Sequence, residues 1–187
     1  DLHRRRHSFP TRRSSDLVTG HTKKYDLVIN STGPWAKQLL VESAVASEYS
    51  LDLVQGTHIL VNGKIDRGCV LQVAQDKRVV FVLPYKGQTL IGTTERKIET
   101  AGAGKLSGVE IGYLLDVYNQ YFTNKLALSD VLEVFFGVRP IVSSVSNFSK
   151  ASRESCLEKN GKLINVFGGK WTTSRSLAKS VLALAHQ

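Results

Sequence analysis

Cysteine is scarce in this chain. Cys69 and Cys156 are the only two, and their separation matches no metal-ligand or redox spacing, so they read as ordinary reduced thiols of a cytoplasmic protein and no metal site is expected. Long apolar runs are also missing. Nothing approaches the roughly 20 residues of a membrane-spanning helix, and no stretch has the form of a signal-peptide core. There is no internal repeat, which excludes solenoid and propeller architectures, and no low-complexity tract beyond a serine-rich stretch at 143–150 that reads as a loop. Disorder as a whole is excluded by what is present. Hydrophobic residues make up 42% of the 187 positions, enough for a core in one domain or two small ones.

The net charge of +9 is unevenly spread. Residues 1–17 differ in texture from the rest. Within them His7-Ser-Phe-Pro-Thr-Arg-Arg-Ser-Ser-Asp-Leu17 resembles the conceptual translation of a sequencing-adapter oligonucleotide, and the segment is set aside as non-native and disordered. Its rival reading is a basic arm for nucleic acid or a membrane. Five arginines and two aspartates in it account for +3, leaving +6 for residues 18–187. Those remaining charges are scattered singly, which suits solubility, an anionic substrate or a loose membrane-surface preference.

Phe167-Gly168-Gly169-Lys170-Trp171-Thr172-Thr173 carries the most chemistry for its length. The apolar run 163–167 reads as a buried strand. Two glycines then allow close backbone approach, and Thr172 or Thr173 is placed to cap a helix that carries Leu177, Ala178, Val181, Leu182, Leu184 and Ala185. Lys170 adds a cation beside the helix start, so the expected ligand is anionic or electron-rich. Residues 25–30 repeat this plan: a continuous strand with a buried parallel position, the turn Ser31-Thr32-Gly33, and Pro34 in the first turn of a helix over 35–41. In open α/β sheets ligands bind at such carboxyl ends of strands.

Between these pieces the texture changes. Segments 57–61, 69–74, 78–84 and 89–94 are β-rich, with hairpin turns at Asp76-Lys77 and Lys86-Gly87-Gln88. Ser107 and Glu110 fit a capping box before a helix that sets Ile111, Leu114, Leu115, Tyr118, Tyr121 and Phe122 near one face. A strand over 131–138 leads into Arg139-Pro140. The expected architecture is a mixed α/β (α+β) chain, in which a partial Rossmann-like layer (18–48 and 155–187) is interrupted by an antiparallel-sheet domain (49–154).

Taken singly, Arg139 and Arg153 read first as ion-pair residues, His58 equally as a general base or a hydrogen-bonded structural histidine, and Trp35 as a helix anchor. Their order along the chain adds more. Val28-Ile-Asn-Ser-Thr-Gly-Pro-Trp-Ala36, Gly56-Thr-His-Ile59, Arg78-Val-Val-Phe-Val-Leu-Pro-Tyr85, Leu90-Ile-Gly-Thr-Thr-Glu95, Gly137-Val-Arg-Pro140, Ser152-Arg-Glu154 and Phe167-Gly-Gly-Lys170 together resemble, over residues 24–187, the FAD-dependent glycerol-3-phosphate dehydrogenases. Departures are Ser31 where alanine is expected, Trp171 where a branched aliphatic is expected, and Ser174 where tyrosine is common.

The resemblance implies an FAD-binding layer and a substrate domain, with sn-glycerol 3-phosphate oxidised to dihydroxyacetone phosphate. It places Arg139 and Arg153 at the substrate phosphate, His58 and Lys170 in catalysis, and Thr32, Gly33, Trp35, Gly168, Gly169, Lys170, Thr172 and Thr173 at FAD. Electrons would pass to the quinone pool or to oxygen, with peripheral association on the inner face of the cell membrane and no nucleic-acid partner. The family's Gly-x-Gly-x-x-Gly unit is not found in the sequence, so the chain is expected to be an inactive fragment that retains flavin weakly. The alternatives are another FAD-dependent amine or hydroxy-acid oxidase of the same plan, and a non-catalytic basic module.

Overall fold

The computed structural model describes residues 14–15, 22–144, 147–152 and 155–187, with side chains over 24–142 and 155–187. Arg153 lies outside the described residues, as does the segment 1–17 apart from Ser14–Ser15, which pairs antiparallel with Thr22–Lys23. The serine-rich stretch expected as a loop is instead strand up to Ser144 and again over Asn147–Ser152, the two pairing antiparallel. In chain order the elements are β1 (Val28–Asn30), α1 (Ala36–Glu42), β2 (Tyr49–Val61), β3 (Cys69–Gln72), β4 (Val79–Tyr85), β5 (Gln88–Gly92), β6 (Arg96–Ile98), α2 (Gly108–Tyr121), β7 (Val131–Ser144), β8 (Cys156–Asn160), β9 (Leu163–Phe167) and α3 (Ser174–Ala185). The chain forms two compact units, one holding the residues up to Asp52 and from Pro140 onward, the other Leu53–Arg139. It passes from one to the other within β2 and returns within β7.

The first unit is a small layer with strand order β8-β9-β1. β9 pairs in parallel with β1, Leu163 opposite Val28 and Asn165 opposite Asn30, and antiparallel with β8. All five residues of β9 are buried. Ile164 and Val166 pack with Leu177, Val181 and Leu184 of α3, and the ring of Phe167 lies 5.6 Å from that of Tyr49. A strand covered on both faces has to be apolar throughout, as Leu-Ile-Asn-Val-Phe is apart from Asn165.

Three expectations change here. β1 is shorter than 25–30 and has β9 as its one partner among the described residues, so Ile29 is 44% exposed rather than enclosed. The hairpin β8–β9, turning at Gly161 with φ +60°, escapes the sequence pattern because Cys-Leu-Glu-Lys-Asn has no clear alternation. Thr173 occupies the cap position of α3, but its hydroxyl donates to the Lys170 carbonyl (3.2 Å) and makes no bond to a helix N–H.

The second unit is an antiparallel sheet in the order β7-β2-β5-β4-β3, with β6 also on β2. One sheet face buries Ile59, Val61, Leu71, Val80, Val82 and Ile91 against Leu114, Leu115, Val117 and Tyr118 of α2. The i, i+3, i+4 spacing of those helix residues is what a helix needs to cover a sheet. Tyr121, expected on that stripe, is half-exposed. β7 runs beyond the expected 138. The mixed α/β class with an antiparallel sheet agrees with the sequence expectation.

The expected capping box is corrected. Ser107 is the cap residue of α2, yet it makes no side-chain cap bond. Glu110 turns inward instead, because four side-chain donors converge on it there.

Leu114 has no solvent exposure. Leu114→Ala is expected to lower stability by about 2–5 kcal/mol, the range for a buried leucine whose site collapses incompletely, measured by urea unfolding followed by circular dichroism.

Candidate functional site

In the unit Leu53–Arg139, cross-strand register sets one row of side chains on the sheet face opposite α2. His58 of β2 is opposite Gly92 of β5, Gly92 is opposite Phe81 of β4, and Phe81 is opposite Val70 of β3. Directly opposed residues of antiparallel strands point to the same face. His58 stacks on Phe135 of β7, with ring centres 5.3 Å apart and planes 7° from parallel. Its imidazole fits only because position 92 is glycine: a Cβ there would stand 2.2 Å from His58 Cδ2.

The His58 Nδ1 is buried and has no hydrogen-bond partner among the described residues. Burial, and then the positive charge of Arg139, hold the His58 pKa below its ordinary 6.5. The Gly56 backbone, which a proton on the ring would engage, offsets part of this. The imidazole is therefore neutral at pH 7, with a ring nitrogen able to accept a proton.

Arg139 lies at the end of the unit's share of β7. Its Nη2 donates to the Thr94 carbonyl (3.0 Å) and to Thr93 Oγ1 (3.2 Å), and its Nη1 pairs with Glu95 Oε1 at 3.4 Å. Both members of that ion pair are about 40% exposed. A second glycine makes room: a Cβ on Gly56 would stand 2.2 Å from Arg139 Nη2 and 2.4 Å from Thr93 Oγ1. A neutral proton acceptor and an aimed guanidinium thus occur in one unit. Together they suit a substrate that must be held by an anionic group and lose a proton.

Beneath the segment 93–96 lies a polar cluster that the sequence reading missed. Buried Glu110 accepts from Thr94 Oγ1 (2.5 Å), Thr57 Oγ1 (3.0 Å), Gln55 Nε2 (3.0 Å) and Arg96 Nε (3.1 Å). Gln55 and Thr57 occupy β2 positions where an apolar side chain would be ordinary. Polar residues at such core positions were the available signal.

The other unit holds the remaining candidates. β1 and β9 run parallel, so both chains leave the layer at the same edge. Asn30, opposite Asn165, donates to its Oδ1 (2.9 Å), and Asn30 Oδ1 accepts from the Thr32 hydroxyl (2.7 Å) and backbone N–H (3.4 Å). This buried asparagine pair, also missed by sequence reasoning, fixes Thr32 and leads into Gly33, with φ +58°. The equivalent turn after β9 carries Gly168 and Gly169 at φ +67° and +98°, values that side-chain-bearing residues rarely adopt. Lys170, Thr172 and Thr173 are exposed there, Trp35 is 43% exposed and Trp171 is 91% exposed. Hydroxyls, side-chain-free backbone and one cation at the carboxyl ends of parallel strands suit a planar, electron-rich or anionic group, which is the chemistry of a flavin. Among the described residues no His, Cys, Asp and Glu group has metal-ligand geometry, and no helix is long and apolar enough to cross a membrane.

Residues 4–182 match the family described as FAD dependent oxidoreductase. The chain is 37% identical over 185 residues to the aerobic glycerol-3-phosphate dehydrogenase of Escherichia coli, a match covering 90% of this chain and 36% of that protein. It is 38% identical over 180 residues to the D-erythritol 1-phosphate dehydrogenase of Brucella abortus, covering 89% of this chain and 35% of that one. Among solved structures it is similar to the glycerol-3-phosphate dehydrogenase from Bacillus halodurans complexed with FAD, with a TM-score of 0.79 and 24% identity, over 92% of this chain and 34% of that one. The chain therefore spans little more than a third of the length of these relatives.

The depressed His58 pKa has a consequence for stability. Below pH 6.5 the unfolded chain binds the proton more readily than the folded one, so stability is full above pH 6.5 and falls as pH drops toward the folded-state pKa. His58→Asn is expected to flatten this slope in thermal unfolding measured between about pH 7.5 and 5.5.

Proposed function

The chain belongs to the family of FAD dependent oxidoreductases, and from that premise we propose that it carries the substrate-recognition residues and part of the cofactor-binding residues of a glycerol-3-phosphate dehydrogenase, which oxidises sn-glycerol 3-phosphate to dihydroxyacetone phosphate. The observation that carries this reading is the pairing, in one unit, of a neutral His58 with an unpartnered ring nitrogen and an Arg139 guanidinium aimed by three acceptors. The names of the Escherichia coli and Brucella relatives lend support, since both denote dehydrogenases of a phosphorylated polyol.

In this reading each residue has a defined task. Arg139 binds the phosphate through its planar fork, exchanging the exposed Glu95 for a doubly charged ligand, and Arg153 is proposed as its second cation. His58 Nδ1 takes the proton of the hydroxyl undergoing oxidation. Thr32, Gly33, Trp35, Gly168, Gly169, Thr172 and Thr173 hold FAD, with Asn30 and Asn165 orienting Thr32. Lys170 offers its charge to anionic groups at the same edge. FAD, when bound, supplies the hydride acceptor. Onward transfer to the quinone pool, and peripheral attachment to the inner face of the cell membrane, complete the proposal.

The test joins the chain behind the amino-terminal FAD-binding unit of a related dehydrogenase and follows glycerol 3-phosphate-dependent dye reduction. Arg139→Ala is expected to raise KM about 10–100-fold, the range for losing a charged hydrogen bond to phosphate. His58→Asn is expected to lower kcat about 10²–10⁴-fold. Activity that survives both substitutions unchanged contradicts the assignment.

A further inference from the structure

We infer that Glu110 is a positioning residue for Arg139, acting through the segment Thr93-Thr94-Glu95-Arg96. This rests on the reading above in which Arg139 holds the substrate's anionic group. Glu110 does not touch Arg139. The three acceptors of the Arg139 guanidinium among the described residues, however, lie on consecutive residues: Thr93 Oγ1, the Thr94 carbonyl and the Glu95 carboxylate. The residues on either side of Glu95 are both fastened to the same Glu110 carboxylate, Thr94 through Oε1 at 2.5 Å and Arg96 through Oε2 at 3.1 Å.

Thr94 is fixed with particular completeness. Its hydroxyl donates to Glu110 while accepting from the Thr57 N–H (2.9 Å), and its own N–H donates to the Thr57 carbonyl (3.2 Å). Its rotamer and the 93–94 peptide are therefore set together, and its carbonyl accepts both from Thr93 Oγ1 (3.1 Å) and from Arg139 (3.0 Å). Arg96 is held a second time, its Nη2 donating to Gln55 Oε1 (3.0 Å) and to the Lys105 carbonyl (2.8 Å). A carboxylate is buried at a cost unless charged or strong donors surround it. Here that requirement is met by four donors, two of which aim the backbone beneath the guanidinium. Precise support of this kind separates a site held in productive geometry from one that is present but loose.

The test reads Arg139 directly. In the full chain, NMR of the Arg139 side chain, assigned by its loss in Arg139→Lys, reports the rate of rotation about the Nε–Cζ bond. Glu110→Gln and Thr94→Val are each expected to speed that rotation about tenfold, the loss of roughly one hydrogen bond. The double variant should be no faster than the faster single one, because both substitutions break the same chain of bonds. Thr94→Ser, which restores the hydroxyl, should return the wild-type rate, and Asp116→Asn on the exposed face of α2 should not change it. An unchanged Arg139 rate in folded Glu110→Gln and Thr94→Val overturns the inference, as does an equal effect of Asp116→Asn. Should Glu110→Gln fail to fold, the Thr94→Val and Thr94→Ser pair decides alone. Titration with glycerol 3-phosphate separates this claim from the one beneath it. If the ligand moves no Arg139 resonance in the wild-type chain while the rate differences hold, the phosphate-anchor reading fails and the positioning role stands.

Discussion

The buried carboxylate of Glu110 is the constraint on which the unit Leu53–Arg139 depends. A negative charge in a core is tolerated only when donors reach it from several directions. They come from two β2 side chains, from Thr94 just past β5 and from Arg96 of β6. Meeting that one requirement draws the first turn of α2, the middle of β2 and the chain after β5 into a single arrangement. The apolar contacts of α2 with the sheet then secure the opposite end of the same helix. A hydrophobic residue at 110 would cover the sheet equally well, but it would leave the segment 93–96 without direction.

Glycine does the complementary work. His58 and Arg139 each occupy a place where a neighbouring strand has no side chain, Gly92 beside the imidazole and Gly56 beside the guanidinium. With Phe135 stacked on the ring, the imidazole is fixed, half-buried and neutral, and the same packing lowers its pKa. In the other unit the fixing elements are polar again. The Asn30–Asn165 pair joins two parallel strands and orients Thr32 at their carboxyl edge. In both units a side chain with chemistry to offer is set by a buried polar partner that itself has none.

That division explains what was legible in the sequence. Apolar periodicity gave away α2, α3, β9 and the strands β3 to β5, because their burial follows from a regular pattern. The Gly168–Gly169 turn stood out by its residue types between a strand and a helix, whereas His58 and Arg139 were reached only through the resemblance of the ordered motifs. The polar supports were illegible. Glu110 three residues after Ser107 has the form of a capping box, and only the three-dimensional convergence of Gln55, Thr57, Thr94 and Arg96 shows that it points inward. Asn30 and Asn165 lie 135 residues apart, and no local rule pairs them. The strand β8 was hidden because its pairing is set by β9 rather than by its own composition, and the exposure of Ile29 follows from pairing that local pattern does not report.

In the function proposed above, the face bearing His58 and Arg139 receives the phosphate and hydroxyl of glycerol 3-phosphate. The most direct measurement is an NMR titration of the chain with glycerol 3-phosphate, following the His58 ring and Arg139 side-chain resonances, with glycerol as the comparison. The expected result is a saturable shift of both residues with glycerol 3-phosphate, none with glycerol, and loss of the response in Arg139→Ala. A folded chain in which neither residue responds, or in which glycerol and glycerol 3-phosphate act alike, would contradict it.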